Sequence, residues 1–311
     1  MTALNDDLPD DILIMRDLLN EVADLYLNLH SIEIVRTQET SKFDADRDAL
    51  LVNISRSTLA DELEHATSIY LFESAHELKA LSILLDRNQI AGSMEVISRA
   101  VIERCGRVSW LLDHNEDVTP AVRSARIALE IAVSWQHYRQ IIQSFYPGSH
   151  DAVKVANARF REMRSQIEVT FQEIEKEQII GSDGELTSSP EIKSWVLGGV
   201  AYPEYTQLAT WAWYGASEDS KRAKATYSML CAFSHPNIAA SREHQFMSEG
   251  NVTFRYEIPY INRVISNSVA AFDKAFQSFT SYFDRNFDSV YNVLNSVHDR
   301  WPLLEDIDET T

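Results

Sequence analysis

The 311 residues include two cysteines, nine glycines and eight prolines. Two cysteines make no disulfide framework. Cys105 and Cys231 both stand inside apolar runs, where a thiol reads as a small core residue of a reducing compartment. So few Gly and Pro leave little turn chemistry, which disfavours many short strands and favours long helices. Positive charge is also short: 28 Lys and Arg face 47 Asp and Glu, a net charge of -19. A field of that sign repels phosphate backbones and anionic lipid, so nucleic acid and membrane surfaces are not expected partners. The densest basic cluster, Lys221-Arg222-Ala223-Lys224, follows Glu218-Asp219 and reads as the solvated first turn of a helix. No apolar run approaches the roughly 20 residues of a membrane span. The opening MTALNDDLPDD lacks the cationic segment of a signal peptide, so a cytoplasmic protein is expected. A glycine-rich phosphate loop, a Gly-x-Ser-x-Gly elbow and a nucleophilic cysteine context are missing too, and no cofactor is implied.

What the chain has is helical periodicity, with 45% hydrophobic residues to build a sizeable core. The pattern predicts helices over 8–35, 58–87 and 90–113, with 37–54 as a polar loop. Thr119-Pro120 starts another helix, Thr119 as its cap and Pro120 at its first position, ending at Tyr146-Pro147-Gly148. In 149–178, Val153, Ala156, Phe160, Met163, Ile167, Thr170 and Ile174 repeat every three or four residues, the seam of a helix packed along a neighbour. Ala125, Leu129, Ala132, Ile142 and Phe145 supply a matching stripe. The two helices read as an antiparallel hairpin that projects or mediates dimerisation. A loop follows at 179–189, then an aromatic-rich stretch with Trp195, Trp211 and Trp213. It reads as a compact packed segment or, alternatively, as a lid over a pocket. A helix over 218–233, a β-hairpin within 246–257, and a terminal helix over 260–297 with a phenylalanine stripe complete the chain, before an acidic tail at 301–311. The expected fold is all-α: a bundle of long helices with a projecting antiparallel hairpin and at most one small β-hairpin. Residues 1–117 and 217–300 form the bundle, 118–178 the hairpin and 179–216 the aromatic connection.

Several polar groupings stand out. Glu62-x-x-His65 and Glu73-x-x-His76 recur on one helix, but roughly 16 Å apart along its axis they cannot share one metal centre, so no metal is expected. Arg99 and Glu103 share a helix face among Ile97, Val101, Ile102, Val108 and Trp110. An arginine in such surroundings needs an anionic partner. Tyr227 and Ser234 lie two turns apart on one face, and His235 follows before Pro236. We expect Arg99, Glu103, Tyr227, Ser234 and His235 to form one buried polar site. It is either a structural network between two helices or a ligand site. In a catalytic version His235, Arg99 and Glu103 are the candidates. Trp211 and Trp213 are added as ligand-binding candidates through the lid reading.

The Arg99–Asp113 segment, an Arg-x-x-x-Glu helix running into Trp-Leu-Leu-Asp, and the Tyr-x-x-Leu-x-x-x-Ser-His of Tyr227–His235 resemble the DUF5677 family of bacterial helical proteins. More distantly, Arg107 and His114 fit the spacing of HEPN ribonucleases. The resemblance implies an all-helical fold and carries no settled activity. The leading expectation is a binding or interaction protein, a homodimer with a protein or small-molecule partner, in stress or defence. The alternatives are a metal-independent HEPN-like ribonuclease of a toxin or antiphage system, which alone would engage nucleic acid, and a small-molecule sensor with an aromatic lid.

Overall fold

The computed structural model describes residues 9–28, 35–36, 41–54, 57–86, 93–115, 117–176, 178–180, 186–188, 191–215, 221–234, 245–248, 251–254, 257–286 and 288–301. Among them are ten α-helices, and the fold is all-α. The helices are α1 (Asp10–Leu27), α2 (Lys42–Leu50), α3 (Leu59–Asp86), α4 (Met94–Leu111) and α5 (Pro120–Phe145). They continue with α6 (Asp151–Thr170), α7 (Tyr205–Tyr214), α8 (Lys221–Ser234), α9 (Ile258–Phe283) and α10 (Asp288–Arg300). No helix of the described residues is long and apolar enough to cross a membrane.

Several boundaries differ from the sequence expectation; α1 ends at Leu27, and Val35, expected within it, lies in a strand. The polar stretch 37–54 holds a helix, α2. Ser41 and Asp44 form a reciprocal capping box at its start, which supplies two backbone donors with partners despite the polar composition. The hairpin's second helix stops at Thr170, and Ile174 lies in a strand instead of the seam. The long terminal helix is two helices. Asp284 adopts the left-handed conformation (φ 47°), and its amide donates to the Thr280 carbonyl, closing α9 before α10 begins.

The expected hairpin at 246–257 is present, with β9 (Gln245–Ser248) and β10 (Asn251–Phe254) antiparallel. Other short antiparallel pairs accompany it: β1 (Val35–Arg36) with β11 (Arg285–Asn286), and β2 (Asn53–Ile54) with β3 (Ser57–Thr58). β5 (Gln178–Ile180) pairs with β6 (Leu186–Ser188). β7 (Trp195–Leu197) lies between β4 (Ile174–Lys176) and β8 (Val200–Ala201). At two to four residues each, these strands link helices without forming a layer of their own.

The chain divides into two compact units, the first made of 1–39, 69–109 and 205–311, the second of 40–68 and 110–204. In the first unit α9 carries the core. Ile265, Phe272, Phe276, Phe279 and Phe283 are buried as the phenylalanine stripe predicts, and Tyr26 of α1 meets Phe272 and Phe276 edge-on. Close approach is built in at Gly106 of α4, where a Cβ would lie 2.1 Å from the Leu208 carbonyl oxygen of α7.

In the second unit α5 and α6 form an antiparallel hairpin, with Val153, Ala156, Phe160, Met163 and Ile167 buried. Its two ends differ. From Arg123 to Val133 every residue of α5 is buried. Beyond that only Gln136 is buried and the rest of the helix is exposed or half-buried, and the seam there is not the expected one. Gln143 bonds Asn157, Arg139 lies over the Phe160 ring at 4.2 Å, and Arg159 over Trp135 at 5.9 Å. With polar groups turned toward α6, Phe145 is exposed rather than seated in the stripe, and so are Tyr138 and Ile141.

Candidate functional site

Arg99 and Glu103 of α4 and Tyr227 of α8 come together in the first unit. Arg99 Nε donates to Glu103 Oε1 at 2.7 Å, and the Tyr227 hydroxyl donates to the same oxygen at 2.5 Å. The Arg99 guanidinium also lies 5.6 Å from the Tyr227 ring centroid. Burial and the Glu103 carboxylate together hold the Tyr227 phenol well above its usual pKa, hence protonated and donating. Burial works against the Arg99 charge, but the bond to Glu103 outweighs it and the guanidinium stays firmly charged. Tyr227 is buried, while the Arg99 and Glu103 side chains keep 24% and 16% of their exposure, so the pair sits at a lip and not in a sealed core.

Ser234 ends α8, and His235 lies outside the described residues. The cluster the structure brings together is therefore Arg99, Glu103 and Tyr227, a hydrogen-bonded tie from α4 to α8. Glu103→Ala is expected to cost about 2 kcal/mol, because both donors lose a charged acceptor near water. Tyr227→Phe is expected to cost about 1 kcal/mol. Thermal melts of the two variants check this order, and a neutral Glu103→Ala would remove the tie from the account.

Neighbouring groups of α4 are also committed within the first unit. Arg104 bridges Glu73 at 2.7 Å and Glu77 at 2.5 Å. Burial pushes the Cys105 thiol up to about 12, too high for a nucleophile at neutral pH. The Arg107 guanidinium rests between the Tyr70 and Tyr205 rings, at 5.9 and 5.8 Å. His114 is exposed after α4. Of the two Glu-x-x-His pairs, Glu62 accepts from Ser57, Glu73 from Arg104, and His76 packs edge-on against Phe72. Among the described residues no cluster of His, Cys, Asp or Glu could hold a metal.

The two tryptophan candidates separate. Trp213 of α7 donates its indole N–H to the Asn267 carbonyl of α9 at 2.9 Å and lines a cavity of about 320 Å³ with Tyr214, Arg222, Ala223, Thr226, Asn267 and Ala270. Trp211 is half-buried and does not line it.

Several deeply buried charges of the second unit were not anticipated. In the second unit Arg123 is fully buried. It donates to Asp46 at 2.8 Å and to the Leu111 and Asp113 carbonyls at 2.6 and 2.9 Å, so it caps carbonyls at the end of α4. Arg126 donates to the Trp110 carbonyl at 2.5 Å and to the Asp113 carboxylate at 3.3 Å. Glu130 accepts from Tyr202 at 3.0 Å, and Gln136 accepts from the Ile192 amide at 2.7 Å. The signal was present: Arg123, Arg126 and Glu130 recur at helical spacing inside an alanine- and isoleucine-rich run, the pattern that marked Arg99 and Glu103.

No protein-family model, curated protein or solved structure matches this chain.

Proposed function

We propose that the chain acts by binding rather than catalysis, as a helical interaction protein that pairs with a second copy through the outer half of the α5–α6 hairpin. The observation that carries this is the inverted seam. Polar and cationic groups of outer α5 turn toward α6, while Tyr138, Ile141 and Phe145, at i, i+3 and i+7, form an outward stripe. Phe145 is 77% exposed and Ile141 53%. A stripe of that kind on a two-helix arm is what an isologous contact buries. Arg139 and Arg159 stack on rings of their own arm, which tempers repulsion between two arms brought together. On this reading the Arg99–Glu103–Tyr227 cluster is a structural tie. No contact among the described residues favours the ribonuclease alternative, since the Arg107 guanidinium is already engaged by two tyrosine rings.

Light scattering during size exclusion tests the proposal. The protein is expected to elute as a dimer at micromolar concentration. Ile141→Asp with Phe145→Asp is expected to make it monomeric, with a melting temperature within a few degrees of the parent because both side chains are exposed. A monomeric parent at high concentration, or an unchanged dimer in the double variant, overturns it.

A further inference from the structure

We propose that the cavity between α7, α8 and α9 is a binding site for a small aromatic carboxylate of one or two rings. Three observations converge on that class. The first is an uncommitted cation. Carboxylates outnumber cations in this chain by 47 to 28, and Arg16, Arg99, Arg104 and Arg123 each hold an acid. Arg222 lines the cavity and makes no hydrogen bond or ion pair with a described residue. A guanidinium presents a planar fork that matches a carboxylate with two parallel bonds.

The second observation is the ring. Trp213 has its indole N–H fixed on the Asn267 carbonyl, which locks the side chain's orientation and leaves its apolar surface to line the cavity beside Tyr214. The third is the remaining polarity. The Thr226 hydroxyl, the Tyr214 hydroxyl and the Asn267 side-chain amide also lack partners among the described residues, so the residues lining this open hollow carry a few groups able to orient a ligand. At about 320 Å³ the cavity is at the small end of ligand sites, which limits the occupant to one or two rings. The site lies in the first unit and the hairpin in the second, so this proposal and the dimer proposal stand or fall separately.

Titration calorimetry with three probes tests it: indole-3-acetate, the neutral isostere indole-3-acetamide, and acetate, which has the charge without the ring. Indole-3-acetate is expected to saturate a single site, with the amide and acetate each at least about tenfold weaker. Arg222→Gln is expected to weaken indole-3-acetate to the level of the amide without moving the melting temperature, since Arg222 is exposed. Ala270→Phe, which grows a ring into the cavity from an exposed position, is expected to abolish binding in a protein that still melts cooperatively. Equal affinity for acid and amide, an Arg222→Gln protein that binds like the parent, or no saturable binding up to about ten millimolar overturns the proposal.

Discussion

Asp46→Ala is expected to lower stability by about 3–5 kcal/mol, the cost of breaking a buried ion pair. Arg123 is fully buried, and Asp46, 4% exposed, is the carboxylate on its Nε. Removing the carboxylate takes the acceptor from the Arg123 Nε and leaves the buried guanidinium on the Leu111 and Asp113 carbonyls without that counter-charge. Arg123→Met, which removes the charge and keeps much of the volume, is expected to cost less than Asp46→Ala. It still deprives the Leu111 and Asp113 carbonyls of their donors. Urea denaturation of the two variants checks the order. If Asp46→Ala proves the milder change, the cation is not held in the way described.

Gly106→Ala is expected to cost at least about 3 kcal/mol, more than a helical Gly→Ala change on an open face, which normally stabilises. The added Cβ meets the Leu208 carbonyl oxygen at 2.1 Å and its carbon at 2.7 Å. Both are backbone atoms, so no side-chain rotation relieves the overlap, and α7 must move away from α4. Leu208, Ala209 and Ala212 are buried on that helix, and displacing it opens their contacts. A melting temperature equal to the parent's would overturn the close approach of α4 and α7 at this position. Gly148, whose Cβ would meet nothing within 4 Å, is the natural control.

Where helical period and burial agree, the sequence is a good guide. Phe272, Phe276, Phe279 and Phe283 are core because four consecutive turns leave them on one face of α9. Arg99, Glu103 and Tyr227 were legible because ionisable groups inside apolar runs must find one another. The same reasoning applied to α5 would have found Arg123 and Arg126. It was missed because Ala125, Leu129 and Ala132 already made a satisfactory stripe, which implied that the residues between them faced water. That inference holds only for a helix buried on one side, and this stretch is buried all round. Phe145 misled for the opposite reason. Hydrophobicity placed it in the seam, whereas Arg139 and Gln143 occupy the seam through a cation–ring contact and an amide pair that no apolar count registers. The cavity was partly legible. Trp213 was a candidate, and Arg222 is the exposed first-turn charge the sequence predicts; that it borders a hollow with Asn267 depends on α9, which is distant in the chain.

The segment order of the two units has a consequence for synthesis. The second unit is complete once Glu204 has left the ribosome, but the first must wait for residues 205–311. Helix α1 emerges early, with Met15, Leu18, Leu19 and Val22 destined for burial, and Phe272 and Phe276, which take up Tyr26, are translated far later. At roughly 5–20 residues per second that interval runs from about ten seconds to most of a minute. For that time α1 can reach α3, through Arg16–Asp86 and Lys79–Asp24, but its apolar face lacks α9, a standing invitation to a chaperone or to an identical nascent chain on the same message.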